Sequence, residues 1–126
     1  MKKKVLLVDD STTVLMMEKM ILAKGPFSVV TARDGREAIE KAKSEQPDVV
    51  LLDVVMPNLD GLAACAAIRQ QPETAHIPIV MVTTRGEEAN VEQAFRNGCT
   101  DYVTKPINGI ELLTKLNNIL GLAVNS

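Results

Sequence analysis

Aromatic side chains are almost missing from this sequence: one Tyr, two Phe and no Trp among 126 residues. The core must therefore be aliphatic with methionine as filler, and few flat platforms exist on which nucleic-acid bases could stack. A large excess of either charge is lacking too. At a net charge of -2 no basic field attracts phosphate backbones, which argues against direct nucleic-acid binding. The single histidine, His76, has no His or Cys partner and sits in a Pro-flanked loop, so it reads as a surface residue. The two cysteines, Cys65 and Cys99, fit no metal or redox spacing, and a reducing compartment would leave them as small buried hydrophobes. Long apolar runs are absent. The opening MKKKVLLVDD begins like a signal peptide, but its four apolar residues meet two aspartates, too short for a signal core. The chain reads as cytoplasmic and not inserted in a membrane.

What is present suits one soluble domain. Hydrophobic residues make up 46% and charged residues 24%, and 126 residues suffice to bury a continuous core. Apolar runs recur at Val5 to Val8, Val29 to Val30, Val49 to Leu52, Ile79 to Val82 and Tyr102 to Val103. Segments of helical spacing lie between them and after the last. In the first, STTVLMMEKMILAKG, Val14, Met17 and Ile21 share a face with Met20 and Leu22 beside it, and Gly25 with Pro26 stops the helix. The others stop at Pro47, Pro72, Gly98 and Gly121. Met16, Met17, Met20, Met56 and Met81 are taken as core filler. Alternating strands and helices predict a parallel sheet covered on both faces, a (βα)5 α/β domain, because each parallel connection needs a crossover. Continuous rather than alternating apolar runs are what strands buried on both faces show.

In such sheets ligands bind beyond the carboxyl ends of the strands. After the first run come Asp9 and Asp10; after the third, Asp53; after the fourth, Thr83 and Thr84; after the fifth, Thr104, Lys105 and Pro106. Carboxylates gathered this closely repel one another unless a cation sits among them, and a hard divalent ion such as Mg²⁺ suits a shallow acidic cluster. With Lys105 as a second positive centre, the set forms a site for a phosphoryl group, with the Asp53 carboxylate as nucleophile. Taken singly, each residue has a plainer use: Asp9, Asp10 or Ser11 as a helix cap, Lys105 as a solvated lysine, Thr83 as a strand residue, Tyr102 as packing. Placement after four different strands is what the plainer uses do not predict. Asp34 and Asp60 stay with turns and helix starts, each preceding a glycine.

The stretches VLLVDDS, VVLLDVVMPNLDG, IPIVMVTT and DYVTKP, in this order and spacing, resemble the receiver domain of two-component response regulators over about residues 3 to 120. The resemblance implies a doubly wound, five-stranded flavodoxin-like parallel sheet of order 2-1-3-4-5, with residues 1–122 as the domain and 123–126 as a tail or the start of a linker. It implies that Asp53 accepts a phosphoryl group from a histidine kinase or phosphotransfer protein. Mg²⁺ would then be held by Asp10 and Asp53, by Asp9 mostly through water, and by the Val55 carbonyl. Thr83 would bond one phosphoryl oxygen and Lys105 pair with another, a cis Lys105–Pro106 peptide bond aiming the lysine. Tyr102 would be the switch aromatic, and a downstream effector would read the surface of the fourth helix, fifth strand and fifth helix. A monomer or a weak phosphorylation-dependent dimer is implied. Val55 and Arg85 would flank the phosphoryl group and govern its loss to water. Three other readings compete. A Mg²⁺-dependent phosphohydrolase would place a second acid at Val55 and carry a substrate cap. A phosphorylation-independent binding module would use the same fold without the chemistry. A nucleotide-binding module would need a glycine-rich phosphate loop that this sequence lacks.

Overall fold

The apolar runs become strands and the periodic segments helices in strict alternation. They are β1 (Lys3–Val8), α1 (Thr12–Leu22), β2 (Phe27–Ala32), α2 (Gly35–Glu45), β3 (Val49–Asp53), α3 (Gly61–Gln70), β4 (Ile79–Thr84), α4 (Glu88–Arg96), β5 (Asp101–Lys105) and α5 (Gly109–Leu120). The computed structural model describes residues 2–56, 58–84 and 88–122. Its strands form one parallel sheet in the order β2-β1-β3-β4-β5. All five residues of β3, the middle strand, are buried, which is why that run carries no alternation. At the edges, β2 and β5 are partly exposed.

Side chains alternate between two cores, as the two-residue period of a strand requires. Leu6, Val8, Val50, Leu52, Ile79 and Met81 pack against the inner residues of α2, α3 and α4. Val5, Leu7, Val49, Leu51, Val80 and Val82 pack against Leu15 and Leu22 of α1 and Leu112 and Leu116 of α5. Polar residues start the helices. Ser11, Asp34, Asp60 and Asn108 each accept a hydrogen bond from the backbone N–H three residues on. Gln46, left-handed at φ 47°, ends α2 ahead of Pro47, and Gly121 at φ 66° ends α5. Among the described residues no helix is long and apolar enough to cross a membrane.

Helix α1 departs from the sequence expectation. Its buried stripe is Leu15, Glu18 and Leu22, not Val14, Met17 and Ile21. A glutamate in the middle of the stripe breaks the apolar periodicity and shifts the apparent face by one position. Met16, Met17 and Met20 are consequently 59%, 44% and 70% exposed; only Met56 and Met81 serve as core. The helix also ends earlier, with Ala23 as its cap rather than at Gly25.

Candidate functional site

The chain reverses its direction of winding between β1 and β3, and that switch point opens at the carboxyl ends of the two strands. Val8 pairs with Leu52, so Asp9 and Asp53 stand level on neighbouring strands, with Asp10 one step further out. One carboxylate oxygen from each of Asp9, Asp10 and Asp53 lies within 4.8 Å of the others. Asp9 and Asp53 are buried while Asp10 is exposed, so the cluster opens outward on one side. Thr83, buried on β4, is one residue beyond Val82, the partner of Asp53.

Lys105 ends β5 two strands away and reaches back across the rim. Its ammonium lies 3.3 Å from Asp53 Oδ1 and 3.2 Å from Asp9 Oδ2. Both contacts are ion pairs, and the buried Asp9 Oδ2 has no hydrogen-bond partner. The other oxygen of Asp9 is fixed by the Ser11 N–H at 2.9 Å, and the Ser11 hydroxyl caps α1. Asp9 thus braces the β1–α1 loop while Ser11, not Asp10, is the helix cap. Arg33, after β2, donates to the Asp10 carbonyl at 2.8 Å and ties that loop from the other side.

A single ammonium cannot balance three carboxylates. Burial, and then the Asp9 charge, push Asp53 up to about 6, against the smaller opposing pull of Lys105. Burial works against the charge on Lys105, but Asp53 and Asp9 outweigh it and hold its pKa above the ordinary lysine value. The rim is therefore short of positive charge. The donor set of close carboxylate oxygens, one with no hydrogen bond, fits a hard divalent cation.

The loop after Asp53 turns sharply. The Gly61 N–H donates to the Val54 carbonyl at 2.8 Å, and a Cβ there would run into the Asp53 carbonyl oxygen. Only glycine lets α3 start this close to the strand end. Val55 sits in that loop with its side chain exposed. The Lys105–Pro106 peptide bond is cis. Tyr102 is half-buried on β5, its ring edge-on to Phe95 of α4 at 6.2 Å with the Lys115 ammonium of α5 5.0 Å from its centre. Arg85 lies outside the described residues, as do Pro57 and residues 123–126.

Glu18, Arg33 and Phe95 were missed in the sequence. Arg33 acts through a backbone carbonyl that no motif marks, and Phe95 shows its role only beside Tyr102. Glu18 did leave a trace, as the one acid inside the Leu15 to Leu22 stripe.

Residues 5–117 match the family model described as the response regulator receiver domain. The chain is 38% identical to PilH of Pseudomonas aeruginosa over 117 residues, 93% of this chain and 97% of PilH. It is also 38% identical to PhoP of Bacillus subtilis, an alkaline phosphatase synthesis transcriptional regulatory protein, over 95% of this chain but 49% of PhoP. It therefore spans about half the length of that relative. Among solved structures it is similar to the receiver domain of the sensor histidine kinase PA1611 from P. aeruginosa, which has a magnesium ion coordinated in its active-site cleft. The identity is 28% and the TM-score 0.89, over 96% of this chain and 99% of that one.

Proposed function

Because the chain belongs to the receiver-domain family of two-component response regulators, we propose that Asp53 is its phosphoacceptor and that Asp9, Asp10 and Asp53, with the Val55 carbonyl, hold Mg²⁺. The observation that carries this reading is the rim itself: three carboxylate oxygens within 4.8 Å of one another, with Lys105 bridging two of the side chains. Mg²⁺, when bound, supplies the positive charge that the three carboxylates and a phosphoryl group together require.

The chain's own residues do the rest. Asp53 attacks phosphorus; the P–N bond of the donor's phosphohistidine breaks, its electron pair stays on the imidazole, and a P–O bond to the Asp53 carboxylate forms. Lys105 exchanges the Asp53 oxygen for a phosphoryl oxygen, and Thr83 donates its hydroxyl to another. As Thr83 moves, the Tyr102 ring is free to leave its place between Phe95 and Lys115, which changes the α4-β5-α5 surface that an effector reads. The donor, a histidine kinase or phosphotransfer protein, must cover the ground beside the rim. Met16, Met17 and Met20 of α1 and Ile110 of α5 are exposed apolar side chains on the two helices that share one face of the sheet, and we assign them to that contact.

Intact mass after incubation with acetyl phosphate tests the assignment. A single Mg²⁺-dependent phosphoryl adduct, absent in Asp53→Asn, is the expected result. An adduct that persists in Asp53→Asn, or none in either protein, would overturn it.

A further inference from the structure

Among the described residues Glu18 is the buried acid that the mechanism above does not use. It is 1% exposed, and its Oε1 has no hydrogen-bond partner. Its carboxyl joins no ion pair among the described residues. Six residues into α1 it stands about 9 Å along the axis from the end of the helix that starts at the rim. A leucine there would complete the Leu15 to Leu22 stripe at no electrostatic cost, so the acid weakens the core for no structural return.

Its electrostatic surroundings belong to the rim. The charged groups that act on it are Asp9, Lys105 and Asp53, at the ends of β1, β5 and β3. The other charges on the elements around it are engaged elsewhere or turned away. Strand β2 has no ionisable residue, Lys4 pairs with Glu45 at the far end of β1, where Lys3 also lies, and Lys115 of α5 pairs with Asp101 and Glu111. On α1 itself Lys19 is exposed. Burial first, and then the Asp9 charge, push Glu18 up to about 8, so near neutrality it is a carboxylic acid.

We propose that Glu18 is a positioning residue for the divalent cation: it keeps its proton while the cluster is empty, gives it up when the cation arrives, and so sets the affinity of Asp9, Asp10 and Asp53 without ligating. The inference rests on the reading of the rim as a cation site. The step balances: the O–H bond of the Glu18 carboxylic acid breaks, its electron pair stays on the carboxylate, and the proton passes to the buffer. Two added positive charges close to a buried carboxyl favour its ionised form, and by linkage the ionised form favours the cation. Neutral glutamine keeps the shape and cannot do this.

The window from pH 7 to pH 9 isolates the effect. Asp53, at about 6, is already ionised there, Lys105 is still charged, and the thiols at about 11 are silent. Amide NMR titrations with Mg²⁺ alone should show the wild type binding about fivefold to tenfold more tightly at pH 9 than at pH 7, less than one proton's worth of linkage per pH unit. Glu18→Gln, which keeps every other titrating group, should stay within about twofold over the same range. An equal rise in both proteins, or a flat wild type, would overturn the proposal. A wild type that shows no Mg²⁺-dependent shifts at any pH would overturn the cation site beneath it as well, which separates the two failures. A readout needing no variant is the carbon-13 titration of the Glu18 carboxyl. Its midpoint should fall when Mg²⁺ is added, and a midpoint that Mg²⁺ leaves in place would contradict the proposal.

Discussion

The two ends of the sheet treat charged groups in opposite ways. At the amino end the charges are settled. Lys4 donates its backbone N–H to Asp48 at 2.7 Å and its ammonium to Glu45. Arg69 reaches the Gly98 carbonyl at 2.8 Å, the Ala75 carbonyl at 3.1 Å and the Ile77 carbonyl, tying α3 to the segments that lead into β4 and β5. The Thr74 and Thr100 hydroxyls bond backbone in the same region. Gln71 Oε1, just past α3 at the amino end, also lacks a hydrogen-bond partner, but it belongs to a neutral amide. Toward the carboxyl end the atoms without one are carboxyl oxygens, Asp9 Oδ2 and, further along α1, Glu18 Oε1, and one lysine pairs with two of three clustered aspartates. Charged groups at one end hold the fold, whereas at the other they cost stability.

That contrast breaks most visibly at Lys105. Lys105→Ala should slow phosphorylation by acetyl phosphate about a hundredfold, the usual cost of removing one preorganised positive contact to a transition-state oxygen. An unchanged rate, read by intact mass against time, would move the charge compensation elsewhere. Next comes the opposite end. Arg69→Ala leaves three carbonyls short of a donor and should destabilise the fold by about 2–3 kcal/mol in urea melts, with the phosphorylation rate unaltered. Loss of phosphorylation without loss of stability would blur the division between the two ends.

How far the sequence showed this division differs element by element. Strand β3 and its terminal Asp53 were plain, because a central parallel strand buries every residue and an acid at its end stands out. Strand order was implied by family likeness rather than by any residue, since register and neighbours are not written in local spacing. Helix α1 was misread because periodicity assumes that acids face water. Glu18 violates that assumption, and the three exposed methionines were sent inward as a result. The Arg69 clamp was illegible for another reason: its acceptors are backbone carbonyls, one of them 29 positions away, which leave no mark on side-chain chemistry. The Tyr102 site had a visible tyrosine, but Phe95 and Lys115 come from two other elements.

A smaller effect is expected at Glu18 itself. Glu18→Leu should raise stability at neutral pH by about 1–2 kcal/mol, since an unpaired polar group leaves the core. The wild type should also lose stability as pH rises from about 4.5 to about 8. In that window the folded chain keeps a proton on Glu18 that the unfolded chain has released, so the unfolded state gains as pH rises. Chemical melts at pH 5 and pH 8 should show a smaller drop for Glu18→Leu than for the wild type, and equal drops would contradict the buried acid. The smallest change concerns Val55. It offers no polar group to orient a water, so Val55→Asn should shorten the aspartyl-phosphate lifetime about threefold, under 1 kcal/mol of barrier. An unchanged or longer lifetime would count against Val55 as a brake on hydrolysis.

The most direct test of the contrast between the two ends is an amide NMR map of the chain with Mg²⁺ and beryllofluoride, a mimic of the phosphoryl group. Shifts gathered at Asp9, Asp10, Asp53, Thr83, Tyr102 and Lys105, with Lys4, Asp48 and Arg69 left in place, are the predicted result. Shifts centred on the amino end, or none anywhere, would contradict the account.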